Sequence, residues 1–312
     1  MLALIAGEGQ LPSVLMASLD RASTLFRLCE FNGHPIDDRS GRPIIKFSLE
    51  TLGSFLKELT DLGTTEVCFA GRVVRPKIDP AQIDPATQPL VPRMIAALQE
   101  GDDATLRTFL GFFEEAGLKI VAAHEIAPDL MPSPGMLSRA LPSQQDRDDL
   151  DRGIHILGAL GQVDLGQSCI VSRGQVLAVE AIGGTDWMMR SLMRAPEGLG
   201  APLMEDGASW TDPIGQAVDF LSGTGQATRS AQFVRDPDLP EGGLLIKAAK
   251  PTQDMRVDVP TIGPQTLRRA AEVGLRGVVV EAGRVMVLDL QGCIDLADRH
   301  EMVFWIADGP RA

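Results

Sequence analysis

The first third of the chain alternates between short apolar runs and longer segments whose apolar residues recur at helical spacing. Leu2–Ala6 and Glu66–Ala70 are typical of buried strands, whereas 11–22 and 49–62 have the period of helices. Strands that alternate with helices form parallel sheets with right-handed crossovers, so this pattern restricts the fold more than any other feature. It predicts an α/β protein whose residues 1–130 form a Rossmann-like domain with a parallel sheet.

A Pro-rich stretch separates this region from the rest of the chain. Residues 131–148 contain three prolines and then a polar run, which favours an interdomain linker. Beyond it, a hairpin pattern around Gly174 and further strand-like and helix-like segments predict a mixed α/β (α+β) domain over 149–312. Within that domain, 205–243 is rich in Asp, Gly, Ser and Pro without a clear period. It predicts a long insertion, to which we assign no role.

Composition narrows the class of function. A chain of 312 residues is long for one core and suits two domains. The net charge of −13, the absence of Tyr and an aromatic share of 4% argue against nucleic acid as a partner. An acidic protein that binds an anionic substrate needs a local cationic pocket, so the placement of Arg and Lys matters more than their number.

The cysteines and the N-terminus indicate the compartment. The cysteines form no CxxC pair, and we expect buried free thiols of a reducing compartment at Cys29, Cys68, Cys169 and Cys293. The first residues lack the basic region of a signal peptide, and no run of about 18 apolar residues suggests a membrane span. We predict a cytoplasmic protein for which contact with a membrane surface stays allowed. Neither feature determines the oligomeric state, so the chain could be a monomer or a homodimer.

A glycine-containing loop follows the first predicted strand and opens a helix. Gly7 and Gly9 flank Glu8, and Leu11 begins the helical pattern. At such a junction, a nucleotide phosphate can meet backbone N–H groups and the positive end of the helix. The loop lacks the third glycine of GxGxxG, so a plain tight turn, a nicotinamide site and a site for another nucleotide or phosphate all stay open.

Two further turns carry polar residues after predicted strands. Arg72, Val73 and Arg75 follow the strand that ends at Ala70, where the ligand crevice of a doubly wound sheet lies. The alternative is a pair of surface arginines. Later, Thr185 and Asp186 follow two glycines and precede a helical segment. They indicate either an ordinary capped helix start or a contact to substrate or metal.

The segment 250–264 concentrates charge on a loop bounded by prolines. It carries Lys250, Gln253, Asp254, Arg256 and Asp258. Cations beside carboxylates suit phosphate chemistry, because the cations hold the anion and the carboxylates hold a metal ion or a water. The alternative is a solvated surface turn, since charged loops are mostly solvated.

Five of these segments, taken in order, resemble one family, the LpxI-type UDP-2,3-diacylglucosamine pyrophosphatases of lipid A biosynthesis. The resemblance covers nearly the whole chain apart from about 195–243. The segments are Leu4-Ile-Ala-Gly-Glu-Gly-Gln-Leu-Pro12, Val67-Cys-Phe-Ala-Gly-Arg-Val-Val-Arg-Pro76, Val163-Asp-Leu-Gly-Gln167, Leu177-Ala-Val-Glu-Ala-Ile-Gly-Gly-Thr-Asp186 and Lys250 to Gly263.

The resemblance implies an activity and a substrate. The activity is Mg²⁺-dependent hydrolysis of the pyrophosphate in UDP-2,3-diacylglucosamine, which gives UMP and 2,3-diacylglucosamine 1-phosphate (lipid X). Two domains clasp the substrate between them. Because this substrate resides in a bilayer, the resemblance also implies an apolar groove for its acyl chains and peripheral association with the cytoplasmic face of the inner membrane.

The resemblance also implies roles for individual residues. Asp258, in the Arg-Val-Asp-x-Pro motif, is the essential carboxylate, and the nucleotide side carries over as Gly9, Arg72 and Val73. The Gly-Thr-Asp motif carries over as Thr185 and Asp186. Further substrate contacts are expected at Gly7, Leu11, Arg75, Ser133, Lys250, Gln253 and Arg256.

Magnesium needs few protein ligands in such a site. Mg²⁺ keeps several waters, so one or two carboxylates plus phosphate oxygens are enough. We rank Asp258 first as metal ligand or water-orienting base, Asp254 second as ligand and catalytic carboxylate, and Asp186 third as ligand. Gln253 is expected to orient the water or a phosphate oxygen.

Two departures and two competing functions stay open. Gly183 stands where the family often has Glu, and the insertion at 205–243 is longer than the family's usual connection. The competing enzyme class is a Rossmann-type oxidoreductase that binds a nicotinamide or a nucleotide sugar. The competing non-enzymatic reading is a regulatory module that senses a nucleotide without turnover.

Overall fold

A computed structural model describes residues 1–73, 78–99, 102–194 and 234–309 of the chain. The described residues contain two larger sheets, one in each half of the sequence. This arrangement confirms the predicted fold class, a parallel sheet followed by a mixed sheet with helices.

The first sheet has five parallel strands in the order β3-β2-β1-β4-β5. The strands are β1 (Leu2–Ala6), β2 (Phe26–Phe31), β3 (Ile44–Phe47), β4 (Glu66–Ala70) and β5 (Lys119–Ile120). The α-helices are α1 (Leu11–Arg21), α2 (Leu52–Asp61), α3 (Val91–Leu98), α4 (Asp102–Glu115) and α5 (Ala123–Ile126). Short 3-10 turns occupy Leu49–Thr51, Pro80–Gln82, Gln88–Leu90 and Pro128–Leu130.

Alternate residues of β1 enter different cores on the two faces of this sheet. Ala3 and Ile5 face a cluster rich in phenylalanine, in which the rings of Phe47 and Phe55 stack with centroids 3.9 Å apart. Leu4 faces the cluster beneath α1 and α5. Both faces are therefore covered, as expected for a parallel sheet.

The second sheet has six strands in the order β6-β15-β13-β11-β7-β8. Its three central strands run parallel, while β6 and β7 pair antiparallel to them and β8 forms a hairpin with β7. The strands are β6 (Gly135–Met136), β7 (Ser168–Ser172), β8 (Gln175–Val179), β11 (Leu244–Lys247), β13 (Gly277–Glu281) and β15 (Val303–Ala307). Two small pairs are β9 (Met193–Arg194) with β10 (Val234–Arg235), and β12 (Thr261–Ile262) with β14 (Met286–Val287).

Helices cover both faces of the second sheet. One face packs against α6, and the other packs against the three later helices. The helices are α6 (Gln144–Gln162), α7 (Gly184–Arg190), α8 (Pro264–Glu272) and α9 (Leu290–Arg299). Among the described residues, no helix is both long enough and apolar enough to cross a membrane.

The segment 131–148, predicted as a linker, contains elements of the second half. β6 adds to the edge of the second sheet, and α6 begins at Gln144. The polar run is a helix start because the Ser143 side chain accepts the Asp146 N–H while Asp146 accepts the Ser143 N–H. Of the predicted insertion, 205–233 lies outside the described residues, and 234–243 contains β10.

The segment that follows β11 holds the two halves together. Val257 packs against the phenylalanine-rich core of the first half, and Val259 packs against the cluster on the opposite face. Met286 of β14 is buried in that same second cluster. The charged loop at 250–264 therefore contacts the hydrophobic clusters on both faces of the first sheet.

Candidate functional site

Two loops at the carboxyl edge of the first sheet pack backbone against backbone. The Gly7 N–H donates to the carbonyl of Ala70 at 2.8 Å, and Glu8 and Arg72 exchange backbone hydrogen bonds. A Cβ on Gly71, whose φ is +89°, would lie 2.7 Å from the Glu8 carbonyl oxygen. A Cβ on Gly7 would collide with the Arg72 carbonyl. Both glycines are thus required for packing between the loops.

Gly9 differs from these glycines. Its φ is +97°, and nothing lies within 4 Å of where its Cβ would be. Its N–H points toward a carboxylate oxygen of Asp37 at 3.3 Å, and α1 begins two residues later at half-buried Leu11. Gly9 therefore leaves open the space beside the N-terminus of α1, where a nucleotide phosphate is expected.

The other residues predicted for the nucleotide side differ in what the structure says of them. The side chains of Arg72 and Val73 are exposed beside the loop that carries Gly7. Arg75 lies outside the described residues. Ser133 is exposed between the last turn of the first half and β6 of the second, and it is distant in sequence from the other predicted site residues.

The carboxyl ends of β8 and β11 bring a second group of polar side chains together. The Lys247 ammonium donates to the Thr185 hydroxyl at 2.9 Å. The Ser168 hydroxyl donates to a carboxylate oxygen of Glu180 and lies 3.4 Å from the Thr185 hydroxyl. Lys247, Glu180 and Ser168 are all buried. Asp186 follows Thr185 in the first turn of α7.

Gln253 is the central hydrogen-bonding residue of the loop at 250–264. Its buried amide donates to Asp258 Oδ2 at 2.6 Å and to the Gln167 side-chain oxygen at 3.1 Å. Its own oxygen accepts the Lys250 N–H at 2.9 Å. The Lys250 ammonium forms an ion pair with Asp164. Gln253 thus fixes one carboxylate oxygen of Asp258.

Asp254 and Arg256 are paired with each other. Asp254 accepts hydrogen bonds from the Arg256 guanidinium at 2.7 and 3.0 Å, and from its backbone N–H at 3.0 Å. Arg256 also reaches Glu114 of α4 at 2.6 Å. The pair therefore bridges the two halves of the molecule. Neither charge is left free for a ligand in this conformation.

The electrostatics of the two groups differ. Hydrogen bonds from Arg256 hold the pKa of the Asp254 carboxyl below its usual value, and those to Asp254 and Glu114 raise the pKa of Arg256. Burial lowers the pKa of Lys247, and the negative charges of Glu180, Asp186 and Asp258 oppose that shift. The carboxylate of Asp258 therefore interacts electrostatically with the Lys247 ammonium, as those of Glu180 and Asp186 do.

An apolar cavity of about 440 Å³ opens beside Asp258. Val73 also lies on its wall, so the cavity adjoins the carboxyl edge of the first sheet. The remaining lining residues are mainly large and apolar: Ile5, Phe31, Phe47, Leu49, Leu52, Phe69, Leu98, Thr105, Leu106, Phe109 and Phe113. Asp258 contributes the one carboxylate in this lining.

The structure brings together some predicted site residues and separates others. Asp258, Gln253, Thr185 and Asp186 converge near Lys247. Asp254 and Arg256 are directed toward α4 instead. The sequence analysis did not predict Lys247. The one local indication was its position as a charged residue at the end of the apolar run 244–247. Glu180 and Gln167 lay inside motifs but were not assigned as site residues.

A metal ion would find few protein ligands here. Across the described ranges, no group of three or more His, Cys, Asp or Glu side chains is placed to hold one. The predicted set of Asp258, Asp254 and Asp186 is thus not gathered into one cluster, since Asp254 faces Arg256. The remaining oxygens of Asp258 and Asp186 fit Mg²⁺, which accepts one or two carboxylates and completes its shell with water and phosphate.

Gly183 lies at the N-terminus of α7 with little room for a side chain. A Cβ at this position would lie 2.7 Å from the Trp187 ring. A glutamate in its place would therefore displace Trp187, which is about half exposed. The neighbouring buried carboxylate on this side is Glu180, three residues earlier in the chain.

Comparison with known proteins covers both halves of the chain. The family model described as the LpxI N-terminal domain matches residues 1–130, and that of the LpxI C-terminal domain matches residues 133–204 and 212–305. The chain is also similar to a protein of Caulobacter vibrioides (strain ATCC 19089 / CIP 103742 / CB 15), UDP-2,3-diacylglucosamine pyrophosphatase LpxI. The two are 35% identical over 300 residues, which cover 95% of this chain and 94% of that protein.

Proposed function

The chain belongs to the LpxI family, and from that premise we propose that it hydrolyses the pyrophosphate bond of UDP-2,3-diacylglucosamine in lipid A biosynthesis. The products are UMP and 2,3-diacylglucosamine 1-phosphate. The observation that carries the proposal is 35% identity over 95% of the chain to a pyrophosphatase of that name. The geometry supports it, because polar groups suited to a diphosphate adjoin an apolar cavity.

Three regions around Asp258 suit the three parts of the substrate, which are the nucleotide, the diphosphate and the acyl chains. On one side, the open backbone at Gly9 and the exposed Arg72 suit the uridine nucleotide. Beside Asp258, the cavity of about 440 Å³ suits acyl chains, since its lining is almost wholly apolar. The diphosphate then lies at Asp258, between the two sheets.

Asp258 is the residue we assign to the reaction itself. Gln253 holds one of its oxygens at 2.6 Å, and the other, which has no hydrogen-bond partner among the described residues, can orient a water or bind a metal ion. Asp258 and Asp186 would hold Mg²⁺, which when bound would neutralise charge on the phosphate oxygens. Thr185 stays a proposed phosphate contact, and Lys250 is a second if it leaves its ion pair with Asp164.

Peripheral membrane association is part of the proposal. The lipid substrate has to be taken from a bilayer, and apolar side chains are exposed in the loops beside Thr185 and Gln167. Ile182 is fully exposed, Val163 is mostly exposed, and Trp187 is about half exposed. Aromatic and aliphatic groups of this kind bind at membrane interfaces without a span. Flotation with vesicles would test this association, and analytical ultracentrifugation would measure whether the chain is a monomer or a homodimer.

The direct test is incubation of the purified protein with UDP-2,3-diacylglucosamine and Mg²⁺. We expect UMP and lipid 1-phosphate in equal amounts by mass spectrometry, and a strong loss of both when a chelator replaces Mg²⁺. A UDP-sugar without acyl chains serves as the control and should react far more slowly. Absence of UMP, combined with thermal stabilisation by NADH or NADPH, would favour the oxidoreductase instead.

A further inference from the structure

Lys247 is a buried cation that has no role in the proposed reaction so far. It ends β11, and its side chain is 5% exposed. In the sheet register it stands opposite Ser168 and Val280, on the face covered by α7. Burying an ammonium is unfavourable unless other groups compensate for the lost hydration, so a lysine here needs a physical reason.

The protein satisfies this ammonium incompletely. Of its three N–H donors, one is accounted for by the Thr185 hydroxyl at 2.9 Å. No carboxylate of the described residues approaches its nitrogen within the 4.0 Å of an ion pair, although Glu180, Asp186 and Asp258 act on it electrostatically. Two of its N–H donors therefore have no partner among the described residues, and a group that accepts hydrogen bonds can satisfy them.

Neighbouring cations are already paired. Lys250, three residues later, has its ammonium on Asp164, and Arg256 is held by Asp254 and Glu114. Lys247 is instead directed into the group that contains Asp258. Among these three cations it is the one that can contact an anion without first breaking an ion pair.

We propose that Lys247 is a further catalytic residue, which binds a diphosphate oxygen of the substrate and stabilises the negative charge that develops there. The inference rests on the proposed function, and it assigns a residue that the motifs did not indicate. A buried, preorganised cation is worth more than an exposed one, because no water screens it and little reorganisation is needed.

In the reaction, a water oxygen forms a bond to one phosphorus. The bond from that phosphorus to the bridging oxygen breaks, and its electron pair stays on the departing phosphate. The proton lost by the water passes to bulk solvent. The negative charges of Glu180, Asp186 and Asp258, together with that of the bound diphosphate, favour the protonated ammonium over the neutral amine. Lys247 donates hydrogen bonds to the diphosphate as the charge gathers, so the role needs a positive charge and a fixed position.

The test compares Lys247→Met with the wild type and with Lys119→Met, a variant of an exposed lysine on β5. Methionine keeps an unbranched apolar stem of nearly the same length and removes the charged group. We expect Lys247→Met to lower kcat for UMP release about 100-fold, the loss typical of a removed preorganised donor. Lys119→Met should match the wild type. A Lys247→Met variant with kcat within threefold of the wild type would overturn the inference.

A binding measurement separates this inference from the proposed function. By calorimetry, Lys247→Met should weaken the binding of UDP at least tenfold while the binding of uridine is unchanged. A merely structural lysine would weaken both or neither, and either result contradicts the role. If the wild type releases UMP and Lys247→Met does so equally well, the proposed function stands and the assignment of Lys247 fails.

Lys247→Arg keeps the experiment decisive if the methionine variant does not fold. Arginine preserves the charge but places its donors farther along a longer side chain. UDP binding should then stay within threefold of the wild type, while kcat falls at least tenfold. Full kcat in Lys247→Arg would show that charge alone matters, and would refute a positioned contact.

Discussion

Two aspartates four residues apart in the same loop have opposite surroundings. Asp254 is bound by the guanidinium and the N–H of Arg256, whereas Asp258 receives one hydrogen bond from Gln253 and borders an apolar cavity. An oxygen already held by a strong cation has little to offer a metal ion or a water. We therefore infer that Asp254 fastens the loop and that Asp258 carries the chemistry.

Asp254→Asn should lower stability more than it lowers turnover. Removing the charge weakens the pair with Arg256, and we expect a loss of about 1 kcal/mol in the free energy of unfolding, because Arg256 is partly exposed. UMP release should fall less than tenfold. A loss of kcat as large as that of an Asp258 variant would contradict this division.

The difference in unfolding free energy between the wild type and Asp254→Asn should become smaller at low pH. The pKa of Asp254 is lowered in the folded protein, so its contribution is fully present above its unfolded pKa of about 4 and is lost as pH falls through the folded value. Urea unfolding should show the full deficit of Asp254→Asn at pH 7 and pH 5, and a smaller one below about pH 4. A deficit that does not change with pH would refute the ion pair as its cause.

At the scale of elements, the contact between the loops that follow β1 and β4 requires a glycine at position 71, and Gly117 provides a comparison. Gly71 needs both a positive φ and the absence of a Cβ, because the Glu8 carbonyl lies 2.7 Å from that position. Gly117 has nearly the same φ, +84°, but open space around it. This pair separates the cost of the backbone angle from the cost of a close approach.

Gly71→Ala should therefore destabilise the protein more than Gly117→Ala. The angle alone costs about 1 kcal/mol in either variant. The forced separation of the two loops should add about 1–3 kcal/mol for Gly71→Ala, as overpacking does elsewhere. Urea unfolding measures both. Equal losses would mean that the loops move apart without cost.

Several elements could be predicted because their apolar patterns are long or sharply bounded. β1 and β4 have the predicted limits, and α1 ends one residue early. Other elements carry weaker local signals. α3 contains Pro92 in its first turn, and the short run of β15 fits a helix or a strand equally well until its neighbours are known.

The site was predictable to the extent that its residues sit in recognisable motifs. Asp258 and Gln253 come from one loop and could be proposed together. The approach of Lys247 to Thr185, 62 residues apart, depends on the pairing of β11 with β7 and on the packing of α7. No local pattern contains that information. The pairing of Asp254 with Arg256 also could not be distinguished from a free charge cluster in the sequence.

At the scale of the whole molecule, the active region belongs to neither half alone. The cavity is lined by the first half, yet Asp258 on its edge comes from the second. The Arg256–Glu114 ion pair and the packing of Val257 hold these parts in place. On the proposed function, a lipid bound in the cavity would present its head group to Asp258 of the second half.

Filling the cavity should affect the lipid and spare the nucleotide. Leu106→Trp introduces a larger side chain into the apolar lining. We expect KM for UDP-2,3-diacylglucosamine to rise at least tenfold while the affinity for UDP stays within threefold. Leu25→Trp, at an exposed position away from the lining, is the matched control. Equal KM values for the two variants would exclude the cavity as the acyl site.

The most direct test of the account is the rate of UMP release by Asp258→Asn, which preserves the shape of the side chain and removes its charge. Asp295→Asn, an exposed carboxylate on α9, is the matched control. With saturating substrate and Mg²⁺, we predict that Asp258→Asn loses about 100-fold or more in kcat, and that Asp295→Asn equals the wild type. Release of UMP by Asp258→Asn at a rate near that of the wild type would contradict the account.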